Sequence, residues 1–357
     1  MSFSVVILAA GKGTRMKSEK PKVLHTIGNA SLLYHVMEVA KRAGAEETVI
    51  VAGHQAELIS DAAKIKSPDA QIVIQEKQLG TGHAVKQAER LLGKSGKDIL
   101  ILYGDVPFIK SETISKLIKA RKTCDIAVLG FDAKHPGMYG RLISNGKNII
   151  EIVEAKDATQ EQLNISLCNS GVILGSADLI FDLIAKIGSD NASKEFYLTD
   201  CVELATKAGF KSSLVLCDER ETIGVNSLAE LARAEELFQR EKRIEFMQKG
   251  VQLNSPETVF FSFDTEIGSG TVIEQNVVIA PAVTIEENAT IRAFSHLEGC
   301  RIFPNSTIGP YARIRPGSIV SEGANVGNFV EVKKSIVGPK SKINHLSYIG
   351  DAKIGEK

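Results

Sequence analysis

The sequence predicts an α/β domain with a mostly parallel sheet, followed by a parallel β-helix. Up to about residue 250, short β-branched runs alternate with stretches of helical periodicity. Beyond that point an aliphatic residue returns at almost every sixth position. A coil of a β-helix turns one apolar side chain inward on each side, whereas helices and flat strands have no period of six. The repeating positions are Ile267, Ile273, Ile279, Ile285, Ile291, Leu297, Ile302, Ile308, Ile314, Val320, Val326, Val332, Val337, Ile343 and Ile349.

The length and composition are typical of a globular protein of two domains. The chain has 357 residues, of which 43% are hydrophobic and 24% charged. Lys plus Arg and Asp plus Glu both number 43, which argues against a general attraction to nucleic acid or membranes. The five cysteines are scattered and suit reduced thiols in the cytoplasm. The apolar run at residues 5–10 is too short for an integral membrane segment, so we expect a strand there.

The elements of the first domain follow in order along the chain. A β-branched run at residues 5–8 ends at a glycine loop, and apolar residues at helical spacing then run from Leu32 to a stop at Gly44. Strands alternating with helices predict a mostly parallel sheet. The predicted strands are residues 48–51, 71–74, 99–103, 126–130 and 172–174, and the predicted helices are residues 86–92 and 113–119.

The clearest single helix begins at Leu228. Ser227 and Glu230 have the spacing of a capping box, and Gly250 supplies the stop. We therefore predict a nucleotide-type domain at residues 1–227, a linker helix at 228–250 and a β-helix domain at 251–357, with regular repeats by about Asp264. The apolar stripe of the helix is predicted to comprise Leu228, Leu231, Ala234, Leu237, Phe238, Ile244 and Met247.

Two features near the first strand indicate phosphate binding. The loop Gly11-Lys12-Gly13 lets backbone N–H groups approach phosphate oxygens, and Arg15 and Lys22 add cations. The loop is neither a dinucleotide fingerprint, because Met16 replaces the third glycine, nor a Walker A loop. Taken alone it is equally compatible with a plain turn bearing surface cations.

Asp105 follows a buried strand, at the sheet edge where open α/β folds bind ligands, and is suited to Mg²⁺. The amide oxygen of Asn226 could share that ion. Gln75 with the following Gly80 could read a pyrimidine edge. The plainer alternatives are a turn aspartate, a helix-entry asparagine and a turn with an incidental glutamine.

The motifs LAAGKGTRM, PK, QLGTGHA, LYGDVP, YGR, IVEAKDAT, CNSG and GVN occur in this order, followed by RPG, GNFVEVKKS and NHLSYIGD in the repeats. Together they closely resemble the bacterial bifunctional N-acetylglucosamine-1-phosphate uridyltransferase/glucosamine-1-phosphate acetyltransferase family, over essentially the whole chain. The resemblance implies a Rossmann-like nucleotidyltransferase domain joined to a left-handed parallel β-helix that forms homotrimers.

The resemblance also implies the first reaction and its residues. The sugar-1-phosphate of N-acetylglucosamine would attack the α-phosphorus of UTP in line and release pyrophosphate, with Mg²⁺ held by Asp105 and Asn226. Arg15 and Lys22 would be catalytic cations. The implied substrate-binding residues are Leu8, Ala9, Ala10, Gly11, Lys22, Gln75, Gly80, Thr81, Tyr103, Gly104, Asp105, Gly140, Glu154, Asn169 and Asn226.

For the second activity, the resemblance implies that His345 is the base that deprotonates glucosamine-1-phosphate for attack on acetyl-CoA. Arg315, Lys333 and Tyr348 would bind that substrate. Because the repeats stop mid-period at Lys357 without a polar cap, we expect a truncated chain or an end covered by neighbouring subunits. The acetyltransferase is accordingly expected to be absent or severely impaired.

Three other functions remain open from the sequence. A sugar-nucleotide pyrophosphorylase of different specificity, such as a glucose-1-phosphate adenylyl- or thymidylyltransferase, would share the glycine loop. A non-catalytic scaffold should have lost its cations and acids, yet Arg15, Lys22, Asp105 and Asn226 are all present. A dehydrogenase is disfavoured by the missing third glycine.

Overall fold

The computed structural model describes residues 2–356, which form two compact units. The first unit extends to His25 and continues over Ser31–Leu231. The second comprises Thr26–Ala30 and the described chain from Ala232 onward. The predicted domain limits at residues 227 and 250 stay predictions.

The first unit is built on a nine-stranded sheet, which matches the predicted α/β class. The strands up to residue 216 are β1 (Phe3–Ala9), β2 (Thr26–Ile27), β3 (Ala30–Ser31), β4 (Glu47–Ala52), β5 (Gln71–Ile74), β6 (Asp98–Tyr103), β7 (Ile126–Asp132), β8 (Arg141–Asn145), β9 (Asn148–Val153), β10 (Leu167–Ser176) and β11 (Ser212–Leu216). The order in the nine-stranded sheet is β5-β4-β1-β6-β10-β7-β11-β9-β8. β2 and β3 form a separate pair, and β2 belongs to the second unit.

Strands β5, β4, β1 and β6 are parallel, as the alternating pattern predicts. β10 is inserted antiparallel between β6 and β7, and β8–β9 is an antiparallel pair, so the sheet is mixed beyond β6. Hydrophobic clusters cover both of its faces. Because β1 and β6 run parallel, their carboxyl ends meet at one edge, with Leu8 beside Tyr103.

Helices lie between the strands. The predicted helix at residues 86–92 proves to be two short helices, the first beginning earlier, at Thr81. The helices are α1 (Leu32–Arg42), α2 (Ala56–Lys66), α3 (Thr81–Lys86), α4 (Glu89–Leu92), α5 (Ser111–Arg121), α6 (Gln160–Leu163), α7 (Ala177–Ile184), α8 (Asp200–Lys207) and α9 (Leu228–Gln248), with 3-10 turns at Thr14–Met16, Lys22–Leu24, Glu219–Thr222 and Pro256–Thr258. Within residues 2–356, none of the helices is both long and apolar enough to span a bilayer.

The second unit is a three-sided parallel β-helix. Equivalent positions on successive coils are 17 or 18 residues apart, as in the pairing of Ile267 with Ile285 and of Ile285 with Ile302. The first coil strand begins at Gln252, earlier than the predicted Asp264, because its aliphatic positions do not keep the six-residue period.

The β-helix strands are short except where β24 and β26 continue across a corner. They are β12 (Gln252–Leu253), β13 (Phe260–Phe261), β14 (Glu266–Ile267), β15 (Val272–Ile273), β16 (Val278–Ile279), β17 (Thr284–Ile285), β18 (Thr290–Ile291), β19 (His296–Leu297), β20 (Cys300–Ile302), β21 (Thr307–Ile308), β22 (Arg313–Ile314), β23 (Ser318–Val320), β24 (Asn325–Lys333), β25 (Ile336–Val337), β26 (Lys342–Gly350) and β27 (Lys353–Ile354).

The repeating aliphatic residues form the core of this unit, as predicted. Those from Ile273 to Ile343 are buried, while Ile267 and Ile349 at the two ends are partly buried. Stacking one inward side chain per side on each coil gives a continuous apolar column, which explains why the six-residue period is so regular.

The predicted stripe of α9 is partly wrong, because Leu228, Ile244 and Met247 are exposed. The buried positions include Gln239, whose amide donates to the Phe261 carbonyl at 2.7 Å and accepts from the Phe261 N–H at 2.8 Å. A glutamine that exchanges two hydrogen bonds with a β-helix coil is a polar anchor, which a hydrophobic pattern does not reveal.

Candidate functional site

A cavity of about 300 Å³ opens at the carboxyl ends of β1 and β6. Gly104 N–H donates to the Leu8 carbonyl at 2.9 Å, so the β6 tip and the start of the glycine loop are held together. Ten of the predicted substrate-binding residues line the cavity, namely Leu8, Ala9, Ala10, Gly11, Lys22, Gln75, Gly80, Thr81, Tyr103 and Asp105.

The cavity wall around Gln75 is formed by the loop that contains Gly80, and this loop packs closely against Phe196. Gly80 has a φ of 110°, and a Cβ at this position would lie 2.5 Å from the Phe196 carbonyl oxygen, so only glycine fits. The Gln75 side chain is 3% exposed, and its amide donates to the Gly80 carbonyl at 3.1 Å and contacts His83 Nδ1 at 2.9 Å. Gln75 therefore lines the cavity and also fixes the loop that follows.

Lys22, Asp105 and Asn226 form the chemical centre of the site. The Lys22 ammonium donates to Asp105 Oδ2 and, at 3.0 Å, to Asn226 Oδ1. The Val225 N–H donates to the Asp105 carbonyl at 2.9 Å, which fixes the segment of Asn226 beside the tip of β6. Three residues far apart in sequence thus converge on one point.

Asn226 is also held from α9. The predicted capping box is only half formed: the Glu230 N–H donates to Ser227 Oγ at 3.3 Å, but the Glu230 carboxylate accepts from the N–H of Asn226, at 2.7 Å, rather than from that of Ser227. The carboxylate reaches one residue further back, where it anchors the proposed metal ligand. This partner was missed because the motif assigns Glu230 to the helix cap alone.

The donor set of this centre fits a hard divalent cation. A carboxylate oxygen and a carboxamide oxygen converge on a position that already holds a positive ammonium group. Mg²⁺ is usually held by one or two protein oxygens, with waters and phosphates completing its shell. Over residues 2–356, no cluster of three or more His, Cys, Asp or Glu side chains is arranged to hold a metal.

A second group of predicted residues lies next to Tyr103. The Asn169 N–H donates to the Gly140 carbonyl at 2.8 Å, and a Cβ at Gly140 would lie 3.5 Å from Glu154 Oε1. Asn169 lies at a register shift of β10, a feature common beside active sites. The ring of Tyr103 covers Gly171, and burial, then the charges of Glu154 and Asp105, raise the pKa of its phenol.

Sequence reasoning missed several cavity residues. The cavity is also lined by Val23, Gln78, Ala84 and Glu195. None of these four was singled out in the sequence as having a chemical role. Arg15 is exposed on the turn Thr14–Met16, at the end of the loop that begins the cavity wall.

In the second unit, three of the four predicted residues lie on the neighbouring strands β24 and β26, namely Lys333, His345 and Tyr348. The fourth, Arg315, directly follows β22. Arg315 Nη1 contacts Glu331 Oε1 at 2.7 Å, and Glu331 pairs in register with Tyr348. The hydrogen bond to Glu331 raises the pKa of Arg315. Lys333 is half-buried at the end of β24, and His345 is exposed on β26, the strand of Tyr348. Glu331 itself was not predicted.

Comparisons with known proteins identify the family of this chain. Residues 5–166 match the MobA-like NTP transferase domain, and residues 256–357 match the GMPPB C-terminal domain. The bifunctional protein GlmU of Roseobacter denitrificans is 51% identical over 356 residues, which is 100% of this chain and 79% of that protein. The chain belongs to the GlmU family. The GlmU protein of a Ruegeria species gives the same identity and coverage.

Membership of the GlmU family confirms the resemblance inferred from the motifs. The chain is an enzyme of the nucleotidyltransferase class, in a family with a second, acetyltransferase activity.

The fold of the first unit is also found in solved structures of low sequence identity. UDP-glucose pyrophosphorylase with UDP-glucose matches 68% of this chain and 100% of its own, with a TM-score of 0.55 and 21% identity. The inositol-1-phosphate CTP transferase of T. maritima matches 66% of this chain and 94% of its own, with a TM-score of 0.53 and 16% identity.

Proposed function

We propose that this chain transfers UMP from UTP to N-acetylglucosamine-1-phosphate, giving UDP-N-acetylglucosamine and pyrophosphate. The observation that carries the proposal is the convergence of Lys22, Asp105 and Asn226 at the cavity bounded by the glycine loop. Phosphoryl-type transfer needs positioning and charge stabilisation more than a covalent intermediate, and this group supplies a cation and a metal-type oxygen pair.

Each part of the cavity suits one part of the substrates. The glycine loop offers backbone N–H groups for phosphate, with Arg15 and Lys22 as cations. Gln75, Gly80 and Thr81 bound the side suited to the uracil base. Gly140, Glu154 and Asn169, adjoining Tyr103, offer carboxylate, amide and backbone groups for the hydroxyls of the sugar.

In the proposed reaction, an oxygen of the sugar phosphate attacks the α-phosphorus as the bond to pyrophosphate breaks in line. The Lys22 ammonium neutralises negative charge on the phosphates, and the cavity residues hold the two substrates in the attacking geometry. Asp105 and Asn226 would hold Mg²⁺, which would supply further charge stabilisation and orient the phosphates.

The test is a substrate panel with pyrophosphate release as the readout. UTP is compared with ATP, dTTP and CTP, and N-acetylglucosamine-1-phosphate with glucose-1-phosphate and glucosamine-1-phosphate. We expect release to require UTP, N-acetylglucosamine-1-phosphate and a divalent metal. Faster release with another nucleotide or with glucose-1-phosphate would identify a different sugar-nucleotide pyrophosphorylase, and no release with any pair would support a scaffold.

For the second unit we infer a site for glucosamine-1-phosphate, because Arg315 contacts Glu331, and Glu331 pairs in register with Tyr348 on the neighbouring strand. Acetyl-CoA would be the acetyl donor, His345 the base toward the amine, and a homotrimer formed through the β-helix the assembly. The readouts are CoA release from acetyl-CoA and the molar mass in solution. CoA release that is unaffected by Arg315→Ala or His345→Ala would contradict this site.

A further inference from the structure

Thr199 occupies the N-cap position of α8, but its hydroxyl does not cap the helix. A threonine at this position usually accepts a hydrogen bond from an N–H of the first turn. Here the side chain forms no such bond. Its hydroxyl donates instead to Oε1 of Glu154 at 3.1 Å, across 45 residues of sequence. Because Thr199 is only 5% exposed, this hydroxyl is well shielded from water and serves Glu154 rather than α8.

The position of Thr199 is set by the segment that precedes it. Residues 195–199, here called the 195–199 segment, are bound to the loop on the nucleotide side of the cavity. The Phe196 N–H donates to the Leu79 carbonyl at 2.8 Å, and the Phe196 carbonyl accepts from the Gly82 N–H at 2.8 Å. The Leu198 N–H donates to Thr81 Oγ1 at 3.0 Å. The hydroxyl of Thr199 is therefore held in a fixed place relative to the nucleotide loop.

The Glu154 carboxylate is oriented by the Thr199 hydroxyl and lies next to Gly140. Its Oε1 accepts from Thr199, and it is 3.5 Å from where a Cβ at Gly140 would be, which is van der Waals distance. Burial raises the pKa of the Glu154 carboxyl, and the hydrogen bond from Thr199 opposes that rise. The other charged or titratable groups that act with Glu154 are Lys156 and Asp157 on its own loop, Tyr103 at the end of β6, Tyr197 in the 195–199 segment and Asp200 on α8.

We propose that Thr199 is a positioning residue for the sugar phosphate, which holds the Glu154 carboxylate in the orientation that accepts hydrogen bonds from sugar hydroxyls. This inference rests on the proposed function and deepens it. An ionised carboxylate is an acceptor only, so protonating or rotating it removes acceptors that the sugar needs. Without the Thr199 hydroxyl, the Glu154 carboxylate loses a hydrogen-bond partner and is free to rotate. The pKa of Glu154 also rises further, which favours the protonated form.

The experiment compares three variants of the full chain. Thr199→Val removes the hydroxyl at nearly constant volume, and Thr199→Ser retains it. Thr206→Val is the matched control on the same helix, where the hydroxyl lies 2.9 Å from the Ile150 carbonyl oxygen and 3.0 Å from that of Val202. Pyrophosphate release is measured as a function of each substrate and of pH, and thermal melting shows whether each variant is folded.

We expect Thr199→Val to raise the KM for N-acetylglucosamine-1-phosphate roughly tenfold, the effect of losing one hydrogen bond to a charged group, and to leave the KM for UTP within about twofold. The acidic limb of kcat/KM for the sugar phosphate should move to higher pH, because the pKa of Glu154 rises. Thr199→Ser and Thr206→Val should retain the wild-type values.

Three outcomes would overturn the inference. A folded Thr199→Val with unchanged kinetics shows that the hydroxyl has no role, and equal losses for both substrates without a pH shift show a merely structural one. If Thr199→Val does not fold, the KM for the sugar phosphate and the pH profile of Thr199→Ser become the test. Loss of sugar-phosphate binding in Thr199→Ser, which retains the hydroxyl, would contradict the role of the hydroxyl. A wild-type chain that makes no pyrophosphate from these substrates instead overturns the proposed function itself.

Discussion

At the scale of single residues, the Lys22 ammonium occupies the point on which the two proposed metal ligands converge. A cation and a metal ion favour the same pair of oxygens because both respond to the same negative potential. Lys22 thus holds the Asp105 carboxylate and the Asn226 carboxamide close together, and the proposed function places its ammonium beside the phosphates of the substrates.

Lys22→Ala should lower kcat by about 100-fold or more, as for loss of one preorganised contact in the transition state. It should also tighten the binding of Mn²⁺ alone, because the ammonium no longer competes for the two oxygens. Kinetics and calorimetry measure the two effects. Lys20→Ala, which changes an exposed lysine of the same region, should alter neither. Unchanged Mn²⁺ affinity in Lys22→Ala would refute the competition.

Asp200 gives a pH-dependent prediction. Burial, then the charge of Glu154, raises its pKa to about 6, so the ionised form destabilises the native state. That cost is fully present above about pH 6 and disappears as the pH falls toward the unfolded value of about 3.9, although its place in the first turn of α8 offsets part of it.

Asp200→Asn should therefore raise the melting temperature at about pH 7.5, and the difference should vanish near pH 4. Melting curves of variant and wild type across this range measure it. Asp61→Asn, at an exposed position of α2, is the control and should show no such trend. A constant difference at all pH values would show that the effect is not linked to the ionisation of Asp200.

At the scale of elements, the amino end of α9 connects helix formation to the site. Glu230 lies in the first turn of the helix, yet its carboxylate accepts from the N–H of Asn226 at 2.7 Å. The backbone N–H of Glu230 donates to the cap residue Ser227, while its side chain anchors Asn226. A change of this side chain should therefore affect the site as well as stability.

Glu230→Ala should cost about 1 kcal/mol of stability, the usual net worth of one hydrogen bond, here the one that the carboxylate accepts from the Asn226 N–H. It should also raise the metal concentration needed for half-maximal rate, because Asn226 loses its anchor. Glu230→Gln keeps an acceptor oxygen and should restore most of the metal dependence. A lowered stability with an unaltered metal response would mean that the bond from Glu230 to Asn226 supports the fold only.

At the scale of the whole molecule, the two units have separate hydrophobic cores. The residues that line the cavity at the carboxyl ends of β1 and β6 all belong to the first unit. Damage to the β-helix core should therefore lower the stability of the second unit while leaving the chemistry of the first intact.

Ile308→Ala, at a fully buried position, should cost about 2–5 kcal/mol in the unfolding of the second unit. Pyrophosphate release below that transition should stay at the wild-type rate. Ile336→Ala, where the side chain is 38% exposed, is the control and should cost less. Denaturant unfolding followed by circular dichroism gives the first result, and loss of pyrophosphate release in the still-folded variant would contradict the independence of the units.

Much of the fold could be predicted because its signals are local. The six-residue period identified the β-helix core. The positions of the glycine loop, Asp105 and Asn226 beside predicted strands and helices made them candidates for the site, and the structure brings Asp105 and Asn226 together. The antiparallel insertion of β10 could not be predicted, because strand direction depends on how distant segments pair. The stripe of α9 failed for the same reason: Gln239 is buried by a partner on the first coil.

The sequence by itself determined the two architectures, the family and the residue types that carry charge, since periodicity and short motifs are properties of neighbouring positions. Only the tertiary structure decided which oxygens meet the Lys22 ammonium, that Glu230 anchors Asn226, and that the Thr199 hydroxyl serves Glu154. Hydrogen bonds act over about 3 Å, whereas these partners are separated by up to 204 residues, so the folded chain alone brings them together.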